Sequence, residues 1–274
     1  MALAEDGEVD ITSAVMVASD VRAEAVLEAR ADGVLAGSAY ADAVARGCGL
    51  SGVEWRLSEG DAFEAGRPLG AFAGPLRAIL RAERPLLNLL QRGCGIATTT
   101  RGYVEKLRGT GCRVLHTRKT LPGLRAFDVR CVLAGGGALH RIDLSREALV
   151  KDNHWSALEA LGGSIRDAQA AASARGVISF QVEVETEAQL EAACEAGATR
   201  ILIDNQSPET VKDWAARARL LAPGIEVEAS GGIELGNVRD YAEAGAAFVS
   251  VGALTHSVQA LDIALEVTAV EAGS

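Results

Sequence analysis

The sequence predicts an α/β protein organised around a parallel barrel, on three observations. Short apolar strands alternate with amphipathic helices from residue 113 to residue 251, the connections are short, and the strands end in polar or glycine residues. Such alternation means parallel strands joined by helical crossovers. Strands are expected at 113–117, 148–152, 179–185, 200–204, 225–229 and 247–251, and helices at 124–134, 164–175, 187–196, 207–221 and 234–244. Each helix carries an Ala/Leu face, and Gly176, Gly197 and Gly245 supply stop signals after three of them.

The preceding hundred or so residues read differently. Residues 5–12 form a polar lead-in whose role periodicity does not reveal. From Val21 to Arg30 apolar positions (Val21, Ala23, Ala25, Leu27, Ala29) alternate with polar ones (Arg22, Glu24, Glu28, Arg30), which predicts a half-buried strand. Gly33 to Gly37 turns the chain, and a short Ala-rich helix runs to about Ala45. Val53 to Leu57 and Glu64 to Gly70 read as short strands joined by glycine turns, making a small β-rich unit. From Leu76 the pattern is helical, with Ile79, Leu80, Leu86, Leu87 and Leu90 on one face. Pro85 fits the first turn of a helix. Gly93-Cys94-Gly95 either interrupts that path or permits close packing.

Composition narrows the function. A chain of 274 residues that is 49% hydrophobic but only 4% aromatic suits an aliphatic, tightly spaced core of helices laid on a parallel sheet. The net charge of −10 argues against general binding to nucleic acid or to a membrane surface. The five cysteines (48, 94, 112, 131 and 194) are odd in number and form no C-x-x-C pair, so reduced thiols in a cytoplasmic protein are expected. The start has no signal-peptide pattern, and no run reaches the roughly 18 apolar residues of a membrane span.

Against that acidic background, Arg113 to Lys151 is basic: eight Lys/Arg against three Asp/Glu, a balance of 8 − 3 = +5. Lysine is rare, at four of 27 cations, yet Lys119 and Lys151 both stand where a strand ends. In an α/β barrel the chemistry gathers at the C-terminal strand ends. Here those ends carry His116-Thr117-Arg118-Lys119, Lys151-Asp-Asn-His154, Glu183-Val-Glu185, Asp204-Asn205, Ser230-Gly231-Gly232 and Gly252-Ala253. The glycines after the last two strands let backbone N–H groups approach a phosphate. His256 is either a phosphate partner or a helix start. Glu183 and Asp204, on neighbouring strands, suit sugar hydroxyls or Mg²⁺ through water; Glu185 has the same alternation phase as Glu183, and periodicity does not separate them. Arg118, Lys119, His140, Arg141 and Lys151 suit a multiply anionic acid. The expected ligands are therefore such an acid and a phosphorylated sugar.

With these residues in view, the chain resembles type II phosphoribosyltransferases, specifically the quinolinate phosphoribosyltransferase family, over nearly its whole length. The resemblance is carried by Asp10-Ile-Thr12, Glu59-Gly-Asp61, Ala82-Glu-Arg84, Thr117-Arg-Lys-Thr-Leu-Pro-Gly-Leu-Arg125, His140-Arg141, Lys151-Asp-Asn-His154, Asp204-Asn205, Glu228-Ala-Ser-Gly-Gly-Ile233 and Ser250-Val-Gly-Ala-Leu-Thr-His256. A related molybdenum-locus family shares much of this set but lacks Lys-Asp-Asn-His.

The resemblance implies an open α/β barrel (residues 99–254) with an N-terminal α/β sandwich domain (1–98, completed by about 255–274), assembled at least as a homodimer. It implies phosphoribosyl transfer from phosphoribosyl pyrophosphate to quinolinate with decarboxylation, with Mg²⁺ as cofactor, in NAD biosynthesis. Arg84 would reach a quinolinate carboxylate in the neighbouring subunit. Thr117, Arg118, His140 and Arg141 would hold the acid, with Lys119 and Lys151 between it and the diphosphate. Glu183 and Asp204 would bind the ribose hydroxyls and the magnesium, and Ser230, Gly231, Gly252 and His256 would surround the 5′-phosphate. The chain departs from the family pattern at Val129, Leu133 and Leu139, where many members carry polar residues. These departures admit a paralogue acting on another pyridine or aromatic carboxylate; a Schiff-base aldolase and a non-catalytic accessory protein are the remaining alternatives.

Overall fold

The computed structural model describes residues 9–272 together with 5 and 7; residues 1–4, residues 6 and 8 of the polar lead-in, and 273–274 at the C-terminus lie outside the described residues. The chain forms two compact units. The first comprises the described residues up to Arg101, Leu121–Gly136 and those from Ser257 onward; the second comprises Gly102–Thr120 and Gly137–His256.

The first unit begins with α1 (Ile11–Met16), and the lead-in supplies its cap: the Asp10 carboxylate accepts a hydrogen bond from the Ser13 N–H at 3.0 Å. Then follow β1 (Arg22–Ala29), β2 (Gly33–Val34), α2 (Ser38–Gly47), β3 (Glu54–Trp55), β4 (Ala62–Phe63), β5 (Pro68–Pro75) and α3 (Leu76–Lys106), whose last residues fall in the second unit. α4 (Arg125–Ala134) and a C-terminal strand (Ile263–Glu271) complete it. The alternation read from Val21 to Arg30 is realised in β1, where Ala23, Ala25, Leu27 and Ala29 are buried. β1 pairs antiparallel with β5 on one side and with the C-terminal strand on the other, setting Leu27 opposite Leu265 and Ala25 opposite Phe72. The buried face of this sheet and Ile79, Ala82, Leu86 and Leu90 of α3 share one core. A fully buried leucine or isoleucine there contributes about 1.5–3 kcal/mol.

Two readings of this stretch change. Pro85 is inside α3 and not in a first turn: the helix already starts at Leu76, directly after Pro75, and continues past the one backbone donor that Pro85 lacks. Gly93 and Gly95 do not interrupt the helix; they serve close packing. A Cβ at Gly93 would lie 2.6 Å from the Ala36 carbonyl oxygen, and one at Gly95 would lie 2.2 Å from that of Gln259. Near them, Arg92 donates to both carboxylate oxygens of the fully buried Asp128, at 3.0 and 2.8 Å, and so ties α3 to α4.

The second unit contains β6 (Arg113–Leu115), β7 (Ala148–Val150), α5 (Asp152–Ala160), α6 (Ile165–Ala174), β8 (Phe180–Val184), α7 (Glu187–Glu195), β9 (Arg200–Asp204), α8 (Pro208–Leu221), β10 (Glu226–Ser230), α9 (Val238–Glu243), β11 (Phe248–Ser250) and α10 (Ala253–His256). Its strands are parallel, in the order β6-β11-β10-β9-β8-β7. That is the cyclic order of a barrel opened between its first two strands. At the opening, Ala138 makes an isolated parallel bridge to Leu115. Along β8, Gln181 and Glu183 alternate with Val182 and Val184, and all are buried, so the polar pair shares one face of the sheet. α7 starts with a Thr186–Gln189 capping box and α8 with a Ser207 cap followed by Pro208.

The packing at Gly95 is tested by Gly95→Ala. Because the clash is with backbone, the variant should lose about 1–3 kcal/mol of stability, seen as a lower thermal midpoint. An unchanged midpoint would mean that the contact is not close.

Candidate active site

Parallel register carries the strand ends to one level: Ser230 is the partner of Asp204 on one side and of Ser250 on the other. Around them opens a cavity of about 500 Å³. The chain leaving β6 lines it with His116, Thr117, Arg118 and Lys119, and the segment at the barrel opening adds His140 and Arg141. Lys151 follows β7, Glu183 lies near the end of β8, Asp204 ends β9 and Ser230 ends β10. Nine residues singled out in the sequence thus meet in one place: Thr117, Arg118, Lys119, His140, Arg141, Lys151, Glu183, Asp204 and Ser230.

The glycines and His256 stand behind this lining. Gly231 has φ +85°, and a Cβ there would fall 2.1 Å from Asn205 Oδ1; the Asn205 N–H donates to the Ser230 carbonyl at 2.9 Å. Only glycine fits that turn without strain. A Cβ at Gly252 would meet His256 Nε2 at 2.9 Å and Lys119 Cδ at 3.0 Å, so both side chains lie over it. His256 is not a helix start: α10 begins at Ala253 and His256 ends it. The Thr255 hydroxyl donates to the Lys119 carbonyl at 2.8 Å, which holds the Lys119 backbone from the opposite end of the sequence. Arg84 does not line the cavity; it lies on α3 in the first unit with 61% of its side chain exposed.

Charges in the cavity are paired unevenly. Lys151 Nζ donates to Glu183 Oε2. Burial is the largest influence on Glu183 and pushes its carboxyl above the usual glutamate value; Lys151 pulls the other way, and repulsion from Asp204 and Asp152 adds to the rise. Burial likewise lowers Arg141, and the nearby Arg118 charge lowers it further, against Glu147 and Glu183. The lining therefore brings the cations Arg118, Lys119, Arg141 and Lys151 together with the carboxylates Asp152, Glu183 and Asp204. The ambiguity between the two glutamates is resolved: Glu183 lines the cavity, whereas Glu185 is exposed and its N–H donates to Gln189 Oε1 at 2.8 Å.

Several residues that hold the site were not singled out for a role in the sequence. α5, also unread, starts at Asp152 with Lys151 as its cap residue, and the Lys151 N–H donates to His154 Nδ1 at 2.9 Å. The Trp155 indole N–H donates to the Glu183 carbonyl at 2.8 Å, so one short helix fixes both partners of the Lys151–Glu183 pair. Buried His116 donates through Nε2 to the His140 carbonyl at 3.1 Å. Glu228, in the middle of β10, is fully buried. Burial alone would raise its carboxyl, but His140, Ser250 and Arg200 together outweigh burial and hold it below the usual range. The available signal was a charged residue between Val227 and Ala229 in an apolar strand. Leu139 lines a neighbouring cavity and not this one.

A parallel barrel that gathers cations and carboxylates at the C-terminal ends of its strands places them where α/β-barrel enzymes carry their active sites. Residues 10–94 match the N-terminal domain and residues 96–266 the C-terminal domain of quinolinate phosphoribosyl transferase. The chain belongs to the quinolinate phosphoribosyltransferase family. It is 38% identical over 275 residues to a probable carboxylating nicotinate-nucleotide pyrophosphorylase of Methanothermobacter thermautotrophicus, spanning 97% of this chain and 96% of that one. It is 37% identical to the human carboxylating nicotinate-nucleotide pyrophosphorylase, over 94% of this chain and 86% of that one. The solved nicotinate-nucleotide pyrophosphorylase of Francisella tularensis superposes with a TM-score of 0.89 at 32% identity, covering 97% of this chain and 93% of that one.

The raised Glu183 carboxyl has a measurable sign. The folded chain holds that proton more tightly than the unfolded chain, so the stability it contributes is present below the ordinary glutamate value and is lost as pH rises through the raised one. In denaturant melts at stepped pH, the stability of wild type relative to Glu183→Gln should fall across that window and level off above it. A difference that rises with pH would contradict the assignment.

Proposed function

We propose that this protein transfers the phosphoribosyl group of phosphoribosyl pyrophosphate to quinolinate, with decarboxylation to nicotinate mononucleotide, as a step of NAD biosynthesis. The observation that carries the reading is the convergence of Arg118, Lys119, His140, Arg141 and Lys151 with Glu183 and Asp204 on one cavity. The cations suit a pyridine dicarboxylate, because Arg presents a planar fork to each carboxylate. The carboxylates suit the ribose hydroxyls. Ser230, Gly231, Gly252 and His256 suit the 5′-phosphate, since turns of this kind aim backbone N–H groups at an anion.

The chemistry follows from the charges. As the bond from ribosyl C1 to pyrophosphate breaks, the electron pair leaves with the pyrophosphate and positive charge develops on the sugar. Glu183 and Asp204 stabilise that charge, while Lys119 and Lys151 stabilise the leaving group. The pyridine nitrogen bonds to C1 and becomes cationic. The adjacent carboxylate then departs as CO₂, its electron pair remaining on the ring carbon, which takes up a proton.

Among the described residues no group of three or more His, Cys, Asp or Glu could by itself hold a metal ion. Glu183 and Asp204 fit Mg²⁺ on other grounds, because this ion is usually held by one or two carboxylates together with substrate phosphates and water. When bound it supplies charge neutralisation on the pyrophosphate.

The protein is proposed to act as a homodimer or larger oligomer, with Arg84 serving the neighbouring subunit's acid site; its largely exposed side chain, whose ion pair with Glu83 is long at 3.8 Å, supports that reading. All five cysteines are free thiols, which supports a reducing, cytoplasmic setting. Among the described residues no helix is long and apolar enough to cross a membrane.

Purified protein given Mg²⁺, phosphoribosyl pyrophosphate and quinolinate should release both pyrophosphate and CO₂, and should release neither with nicotinate. Pyrophosphate without CO₂, or no release, would redirect the search to another acid. Lys151→Ala should lower turnover by about a hundredfold or more with the fold intact; near-normal turnover in the folded variant would remove Lys151 from the mechanism.

A further inference from the structure

Glu228 carries a charge into the apolar centre of the second unit without lining the cavity. Its two oxygens have different partners. Oε2 accepts from Arg200 Nη1 at 3.1 Å. Arg200 is itself anchored twice to Glu226, at 3.0 and 2.7 Å, and lies 4.2 Å over the Phe248 ring. Oε1 accepts the Ser250 hydroxyl and faces His140 Nε2 at 3.4 Å. Ser250 and His140 both line the cavity.

The imidazole is fixed from its other side as well. The Arg141 N–H donates to His140 Nδ1 at 2.6 Å. A ring nitrogen that accepts carries no proton, so the neutral ring bears its proton on Nε2, the atom that faces Glu228. Only 8% of the His140 side chain is exposed, which leaves the ring little freedom to turn.

From these contacts we infer that Glu228 is a positioning residue for the acid-binding residues: anchored by Arg200, it selects the Nε2–H form of His140 and fixes the ring on which the Arg141 backbone rests. This deepens the proposed function and rests on that reading. A purely structural ion pair with Arg200 would use Glu228 without involving two cavity residues. Here one oxygen is committed to Arg200 and the other to the cavity side. Glu228→Gln keeps the shape but removes the charge, and its amide nitrogen repels Nε2–H when turned towards it.

The chain has only four histidines, so ¹⁵N NMR of the free wild-type protein reads the ring states directly, with His140→Gln assigning the signal. The expected result is a protonated Nε2 and a bare Nδ1 at His140; an Nδ1–H form overturns the inference, with no need for a Glu228 variant to fold. In Glu228→Gln the expected result is mixed ring forms, with KM for quinolinate raised about tenfold, the scale of one charge-assisted hydrogen bond, and KM for phosphoribosyl pyrophosphate unchanged. Equal rises in both KM values with the ring form unaltered would make Glu228 structural only and would also overturn it. If quinolinate is not turned over at all, the proposed function fails while the wild-type spectrum still judges the tautomer, so the two failures are distinguishable.

Discussion

Parallel strands in cyclic order all end on the same side of their sheet, and in the second unit this constraint converts residues scattered from His116 to Ser250 into one chemical surface. Asp204, Ser230 and Ser250 fall on one level because the registers of β9, β10 and β11 require it. Glu183 pairs with Leu202, two residues before Asp204, so the two carboxylates sit on adjacent strands at different heights. The break in the ring between β6 and β7 is where Ala138 bridges to Leu115, and it is from this segment that His140 and Arg141 enter the cavity.

Placing charge at the centre of such a sheet is unfavourable unless each charge is answered. The protein answers in two ways. Glu228 is satisfied by Arg200, Ser250 and His140, and its carboxyl is held below the ordinary range. Glu183 is answered by one lysine whose side chain is 43% exposed, and burial still raises its carboxyl. The first arrangement fixes geometry. The second keeps a partly uncompensated group facing a cavity, as its proposed role beside a developing cation requires.

Much of this was legible in the sequence because the barrel repeats one simple rule. β9 occupies the residues read for it, and β8 differs by one residue at each end, since apolar runs between polar ends mark strands without ambiguity. The carboxylate and lysine positions followed from where those runs stop. What escaped was less periodic. α5 was hidden because Asp-Asn after a strand reads as a turn, and nothing local signals that His154 accepts from the Lys151 N–H. Pro85 looked like a helix start because a proline suits a first turn, whereas the packing of α3 on the first unit's sheet carries the helix through it. That C-terminal residues complete the first unit came only from family resemblance, and the strand they form was not read, its outer positions being largely exposed and weakly patterned. Glu228 was visible as a misplaced charge, but its partners come from β9, β11 and the segment at the barrel opening, and no sequence spacing reveals such a set.

Recognition of a dicarboxylate by the cations of the cavity is tested most directly by calorimetric binding of acids to the free protein. Quinolinate should bind at least about tenfold more tightly than nicotinate, because its second carboxylate finds its own cationic partners, and Arg118→Ala should erase most of that difference. Equal affinities for the two acids, or a preference untouched by Arg118→Ala, would mean that these cations do not recognise a dicarboxylate.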